Sequence, residues 1–235
     1  MKKLVFALAV VMVSAIGLAS SASAAPAQAS VRVGHGIPGG DLGLAPALPV
    51  DVLVDDSICL LKGFEFGHFA GPVMLNPGTH NIKISLANIG TPCGNSPVIQ
   101  ADVPFTAGED ATVLAHLDEN GAPTASKFVN NVSRPGFLKA RVQAHHTAAA
   151  PTVDLDVVRP WNFGNRINLD NISNGDSAAG TLFLGSYDVK ISPASGDPIF
   201  TQRIWLKPGK LVQVYAVGSL STGSFQLLIN EVPTR

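Results

Sequence analysis

The chain has 235 residues, of which 46% are hydrophobic and 14% charged, and its formal net charge is −1. The charged share is well below the roughly 25% of an ordinary soluble domain, and Lys and Arg form no cluster, which argues against binding to nucleic acid or to an anionic membrane surface. Apolar residues are spread along the chain, which excludes a disordered protein.

The first 24 residues have the pattern of a secretory signal peptide. Residues 2–3 are lysines, residues 4–18 form an apolar run, and residues 22–24 are a small-residue cleavage site. Cleavage before Ala25 leaves 14 basic and 17 acidic residues, a charge of −3. The apolar run is short for a hydrocarbon layer of ~30 Å. We therefore predict a secreted or periplasmic protein whose mature chain does not insert into a membrane.

After the signal peptide, short β-branched runs alternate with Gly, Pro, Asn and Asp, and no long helical pattern occurs. The clearest alternation of polar and apolar residues is Asn81-Ile82-Lys83-Ile84, as a half-buried strand requires. The strands predicted in the first half are Val31 to His35, Val50 to Val54, Ile58 to Phe66, Val73 to Leu75, Asn81 to Leu86, Val98 to Phe105, Ala111 to Leu117 and Lys127 to Val132. Eight such strands in about 100 residues favour an antiparallel, immunoglobulin-like β-sandwich.

The chain contains two cysteines, Cys59 and Cys93. In an exported protein an even pair this close in sequence indicates one structural disulfide, with two free thiols as the alternative.

The second half of the chain repeats the first. Residues 76–84 correspond to residues 183–191, residues 49–54 to residues 152–157, and residues 105–108 to residues 206–209. We predict a tandem duplication that gives an all-β protein, with sandwiches at residues 30–133 and 136–235. The Pro/Gly-containing break at residues 133–136 is suited to a short linker.

These motifs resemble the bacterial domain of unknown function numbered 4397. In the second half Arg141-Val142 lead to His145, nine residues before Asp154, and are followed by a Gly turn with an alternating strand at residues 185–191 and by the segment 209–217. The first half departs from this spacing, because 16 residues separate His35 from Asp51. The resemblance implies an exported β-sandwich, often in tandem on the bacterial exterior, and implies no catalytic activity.

The paired residues His35 with Asp51 and His145 with Asp154 are candidate binding residues. Each pair could form a hydrogen-bonded strut that holds the long loop after the first strand, or supply two ligands of a zinc or copper site. The residues could also be unrelated surface positions. We expect the strut, because no third metal ligand is evident.

The two tryptophans are the candidate aromatic contacts for a sugar. Trp161 follows Arg159-Pro160 in a predicted loop and is the better candidate for an exposed contact, whereas Trp205 lies in an alternating strand, where core packing is expected.

No motif of an enzyme active site is present. The chain has no Gly-x-Ser-x-Gly elbow, phosphate-binding loop or dinucleotide fingerprint. We predict a non-enzymatic exported structural or interaction module without a cofactor, whose partner is a protein or glycan at the cell exterior. The alternative is a small-ligand module, for glycan or metal, built on the sandwich loops.

Overall fold

The structure is a computed structural model that describes residues 25–193 and 196–235, without the side chains of residues 162–165. The predicted signal peptide, residues 1–24, lies outside the described residues.

Alternation of inward and outward side chains produces the strands. In β5, Ile82 and Ile84 face the core while Lys83 between them is more exposed. The strands are β1 Ala29–His35, β2 Val50–Val54, β3 Ile58–Phe64, β4 Phe69–Leu75, β5 Gly78–Leu86, β6 Ile99–Phe105, β7 Asp110–Leu117, β8 Pro123–Val129, β9 Lys139–His146, β10 Val153–Arg159, β11 Asn162–Ile172, β12 Ser177–Phe183, β13 Gly185–Pro193, β14 Phe200–Leu206, β15 Lys210–Val217 and β16 Gln226–Pro233. A 3-10 helix, Gly39–Leu42, lies between β1 and β2.

These strands build two β-sandwiches with the same strand order. The first has an inner sheet β4-β1-β7-β8 and an outer sheet β3-β2-β5-β6; the second has β12-β9-β15-β16 and β11-β10-β13-β14. Neighbouring strands are antiparallel except for β1 with β7 and β9 with β15, which are parallel. The predicted all-β class with two sandwiches is confirmed, and each of the eight strands predicted in the first half is found.

Each sandwich has its own hydrophobic core between its two sheets. The first core includes Val52 and Val113, and the second includes Leu155 and Val214. The predicted break at residues 133–136 lies between β8 and β9.

The inner sheets of the two sandwiches pack on each other. All residues of β7 are buried, and β15 is buried from Leu211 onward, although a strand of a two-layer sandwich exposes one face. The second face of each strand lies in a third apolar cluster, which joins Leu114 and Phe128 of the first sandwich to Tyr215 and Val217 of the second. The molecule therefore has four sheet layers.

A buried hydrogen-bond network crosses the same contact. Gln213 Nε2 donates to Asn130 Oδ1 at 2.7 Å, and Asn130 Nδ2 donates to Asp110 Oδ1 at 2.8 Å. Asp110 also forms a 2.6 Å ion pair with Arg32. Asn230 Nδ2 donates to Gln213 Oε1 at 2.9 Å. Because these groups have partners, their burial does not carry the penalty of unsatisfied polar atoms.

Loops add polar contacts between the two sandwiches at the edge of the contact between their inner sheets. Asp41, in the 3-10 helix of the first sandwich, accepts hydrogen bonds from Thr222 Oγ1 at 2.6 Å and from Ser224 Oγ at 2.7 Å. Asn174 Nδ2 donates to the carbonyl of Leu117 at 2.9 Å. Among the described residues, no helix is long and apolar enough to cross a membrane.

Residues 25–133 and 136–235, produced separately, should each fold, because each contains a complete core. Each fragment will also expose the apolar face around Leu114 or Tyr215, so we expect stronger binding of a hydrophobic dye than by the intact chain, and recovery of a complex on mixing. Amide spectra and analytical ultracentrifugation measure both properties. A disordered fragment would show that the two sandwiches depend on a shared core.

Candidate functional site

Asp51 and Asp154 occupy the same place in the two sandwiches and support a bulge there. Asp51 Oδ1 accepts the N–H of Gly63 at 2.9 Å, and Asp154 Oδ1 accepts the N–H of Asn171 at 2.8 Å. Gly63 and Asn171 have φ of 59° and 58°, and the pairing register shifts beside each aspartate. Gly and Asn are the residues that best tolerate this left-handed conformation. The carboxylates therefore cap the unpaired N–H of a β-bulge.

Asp51 also anchors the loop between β5 and β6. Its Oδ2 accepts the N–H groups of Cys93 at 2.8 Å and Asn88 at 3.1 Å. Burial raises the pKa of the Asp51 carboxyl, but the three N–H donors outweigh burial and lower the pKa below its usual value. The disulfide between Cys59 and Cys93, which confirms the prediction, ties the same loop to β3.

The predicted struts between histidine and aspartate are not formed among the described residues. His35 Nε2 donates to the carbonyl of Leu48 at 2.9 Å, and its Nδ1 accepts the N–H of Ile37 at 3.3 Å. The ring does pin the loop after β1, as predicted, but the acceptor is a backbone carbonyl near the end of that loop, while Asp51 bonds to other loops.

The counterpart of His35 is His146, and the predicted equivalence with His145 is wrong by one residue. His146 Nε2 donates to the carbonyl of Pro151 at 3.0 Å, and its Nδ1 accepts the N–H of Ala148 at 3.4 Å. His35 pairs with Ala115 and His146 with Ala216, at matching places in β7 and β15. Burial lowers the pKa of both histidines, although the carbonyl acceptors oppose it. Both rings are held neutral with their nitrogen lone pair used, which leaves no lone pair for a metal ion.

His145 faces the contact between the sandwiches instead of a loop. Its ring stacks on Tyr215, with centroids 4.5 Å apart, and lies 4.3 Å from the ring of Phe128. The side chain is 2% exposed, neither ring nitrogen has a hydrogen-bond partner among the described residues, and burial lowers its pKa to about 3. The corresponding residue of the first sandwich is Gly34, where a Cβ would come within 2.6 Å of the Phe69 ring. His145 is therefore a packing residue of the contact between the sandwiches.

Trp161 and Trp205 are exposed on the second sandwich. Trp161, in the turn between β10 and β11, is 93% exposed, in agreement with its prediction as an exposed residue. Trp205 is 62% exposed, so its predicted place in the core is wrong. Its neighbours Ile204 and Leu206 are the buried residues of β14, and alternation turns the residue between them outward.

The outer face of the sheet β11-β10-β13-β14 has a polar depression, and Trp161 and Trp205 lie at one end of this sheet. Trp205 of β14 pairs with Ser186 of β13, and Asp188 of β13 pairs with Val158 near the end of β10. Ser186 is two residues beyond Asp188 toward the β10–β11 turn, so Trp205 lies at the level of that turn. Two strand spacings separate β14 from β10, about 10 Å. The depression has a volume of 380 Å³ and includes Asp156, Arg166, Asp188 and Lys190 in its lining. We call this surface the tryptophan face.

Charged side chains of this face are held in part by one another. Arg203 binds Asp188 in a two-pronged ion pair, with Nε to Oδ1 at 2.7 Å and Nη2 to Oδ2 at 3.1 Å, and the bond from Arg203 lowers the pKa of the Asp188 carboxyl. Asp156 accepts a hydrogen bond from Asn168 Nδ2 at 2.8 Å. Arg166 and Lys190 have no ion pair within the part of the chain that the structure describes.

A second groove, of 520 Å³, opens where the sandwiches meet and is lined by turns at residues 119–121, 149–151 and 219–221. Glu119 is its single charged residue, and the groove has no aromatic residue. Its lining offers mainly backbone and small side chains, so the tryptophan face is the better candidate for recognition.

A family model described as Domain of unknown function (DUF4397) matches residues 24–156, more than half of the chain. The match covers the first sandwich and ends within β10. No curated protein matches the chain.

Two solved structures are similar to the chain. The Bacillus anthracis TIE protein is 12% identical with a TM-score of 0.28, and the alignment covers 81% of this chain and 34% of that one, so the chain spans about a third of it. A "putative cell adhesion protein" from Bacteroides ovatus ATCC 8483 is 10% identical with a TM-score of 0.28, and the alignment covers 89% of this chain and 98% of that one.

Replacing Asp51 by Asn should lower the free energy of unfolding by about 3 kcal/mol, because three backbone N–H groups lose a charged acceptor. The matched change Asp154→Asn, at a more exposed aspartate with one such bond, should cost about 1 kcal/mol. The pKa of Asp51 is lowered in the folded state, so its contribution is complete above the unfolded pKa of about 4 and declines as the pH falls. Urea unfolding at pH 7 and pH 3.5 measures both effects. Equal losses in the two variants would contradict this role.

Replacing His145 by Phe should reduce the acid sensitivity of the protein. The unfolded imidazole titrates near pH 6.5 and the buried one near 3. The unfolded chain therefore binds an extra proton between these values, and acid destabilises the folded state by about 1.4 kcal/mol per pH unit through this group. The melting temperature of His145→Phe should fall less between pH 7 and pH 4 than that of the wild type. The exposed His68→Gln should follow the wild type, and a variant profile parallel to the wild type would show that His145 is not desolvated.

Proposed function

The chain belongs to the DUF4397 family of domains of unknown function, and from that premise we propose that it is a non-enzymatic, exported interaction module that binds through the tryptophan face. The observation that carries the proposal is a difference between the two sandwiches. At the place of Trp205 the first sandwich has Pro104, and its turn between β2 and β3 consists of Asp55, Asp56 and Ser57. The fold therefore does not need tryptophan at these places.

Exposed tryptophan is costly to solubility and is enriched at binding surfaces. Trp and Arg are among the residues that contribute most to binding energy, and an apolar patch bordered by polar groups is typical of an interaction site. The tryptophan face combines both residue types. Trp205, Arg166 and Arg203 lie on strands, which hold their side chains more firmly than a flexible loop does, and Trp161 lies in the short turn between two strands.

A non-enzymatic role is supported by what the histidines and aspartates do. The ring nitrogens of His35 and His146 bond to backbone groups, and the carboxylate of Asp51 accepts three N–H groups. A general base needs a free lone pair within reach of a substrate proton. These contacts serve the fold, and they support the non-enzymatic proposal over the metal-binding alternative.

Export is supported by the signal-peptide pattern and by the disulfide between Cys59 and Cys93, since disulfides persist in oxidising compartments. We propose that the mature chain begins at Ala25 and acts in the periplasm or outside the cell, where its partner is a protein or glycan of the cell exterior.

Fractionation of cells that produce the chain should place it outside the cytoplasm, with Ala25 as the first residue by mass spectrometry. An intact N-terminus in the cytoplasmic fraction would contradict the export proposal.

Binding of the purified protein to the envelope fraction of the same cells should depend on the tryptophan face. Trp161→Ala and Trp205→Ala should each weaken binding roughly tenfold, as expected for residues that carry binding energy. Met74→Ala removes an exposed apolar residue of the first sandwich and is the matched control. Equal binding by all three variants would overturn the proposed role of this face.

A further inference from the structure

We propose that the tryptophan face binds an anionic glycan, a carbohydrate chain that carries carboxylate or phosphate groups. This inference rests on the proposed function and adds the chemical class of the ligand.

The two tryptophans suit the shape of a sugar chain. Trp205 lies in β14 and Trp161 in the turn after β10, at the same end of the sheet, and two strand spacings, about 10 Å, separate β14 from β10. Indole rings present flat apolar surfaces with one N–H donor at the edge. Sugar rings have flat faces of C–H groups and a rim of hydroxyls, so two separated indoles suit a chain of sugars better than one small molecule.

Paired polar side chains on the same sheet face suit the sugar hydroxyls. The Arg203–Asp188 pair is two-pronged, and Asp156 is held by Asn168. Such groups have fixed directions and keep spare acceptor and donor positions, which allows hydrogen bonds to hydroxyls without a large cost of ordering.

Unbalanced charge indicates an anionic ligand. Arg159, Arg166, Lys190 and Arg203 face two carboxylates, Asp156 and Asp188, which leaves an excess of two positive charges on a chain whose formal charge is −1. Arg159 is occupied by the carbonyl of Leu184, so Arg166 and Lys190 are the groups open to a ligand. Guanidinium and ammonium groups are the usual partners of carboxylate and phosphate.

The first sandwich provides an internal comparison. At the corresponding end of its outer sheet are Asp55, Asp56 and the pair of Asn81 with Asp102, with an Nδ2 to Oδ1 distance of 2.6 Å. Asp55 pairs with His80 and Asp56 with Lys83, so that surface has no excess of positive charge, and it has no tryptophan. An anionic glycan should therefore bind the second sandwich and avoid the first.

Tryptophan fluorescence tests this directly, because Trp161 and Trp205 are the only tryptophans of the chain. The full mature chain is titrated with oligogalacturonate, which carries carboxylates, with the same oligosaccharide after carboxyl reduction, with a phosphate-bearing teichoic acid, and with polyglutamate, an anionic polymer without sugar. We expect saturable emission changes with at least one anionic glycan, affinity weaker by roughly tenfold for the carboxyl-reduced sugar if the carboxylated one binds, and no saturable change with polyglutamate.

Calorimetric titration of variants with the glycan tests whether binding occurs at the tryptophan face. Trp161→Ala and Trp205→Ala should weaken binding of the anionic glycan roughly tenfold each, and Arg166→Gln should weaken it while leaving binding of the neutral sugar unchanged. Lys62→Gln, at an exposed lysine of the first sandwich, and Met74→Ala should have no effect. Far-ultraviolet spectra check that each variant is folded.

Two results would overturn the inference. One is no saturable response to either anionic glycan; the other is equal affinity for polyglutamate, which would mean attraction by charge alone. In both cases envelope binding that still depends on Trp161 and Trp205 would leave the proposed function intact with a different partner, whereas loss of that dependence would remove both proposals.

Discussion

Burial of both faces of β7 and β15 is the constraint on which the rest of the structure depends. Each strand contributes one face to the core of its own sandwich and the other face to the contact between sandwiches. Charged side chains are excluded from both faces unless they are paired, as Arg32 is with Asp110. The low charge content of the chain agrees with this arrangement, because the central strands of two of its four sheets have little surface open to solvent.

The same two side-chain hydrogen-bonding arrangements occur in both sandwiches. In each, a histidine at the end of the first strand holds the following loop through its ring, and an aspartate in the second strand caps a left-handed residue in the third. These residues looked like candidates for chemistry because ionisable groups are few in this chain. The parts in which the sandwiches differ are the ones free to carry function: the disulfide-bound loop of the first, and the tryptophan face of the second.

Local patterns predicted the strands, the repeat and the disulfide, because alternation, turn residues and cysteine pairing are short-range signals. The partner of His35 could not be predicted, since a backbone carbonyl leaves no mark in the sequence. The predicted equivalence of His145 with His35 is wrong because a shift of one residue turns a strand side chain to the other face of the sheet, and the residue equivalent to His35 is His146. The prediction that Trp205 packs in the core is wrong because an alternating pattern does not by itself say which face is buried, and the buried Ile204 and Leu206 beside Trp205 turn it outward. The mainly apolar runs at residues 111–117 and 211–217 do hold a signal for burial on both faces.

The contact between the inner sheets joins equivalent strands. Thr112 Oγ1 of β7 donates to Oε1 of Gln213, at the matching place in β15, over 3.3 Å. The two sandwiches therefore meet through corresponding surfaces, as the subunits of a symmetric dimer do. Joining the copies by a short linker turns this association into an intramolecular one, with an effective concentration of the order of millimolar. A protein that is released from the cell becomes diluted, and two separate subunits would then come apart. The covalent tandem keeps its four layers together at any dilution.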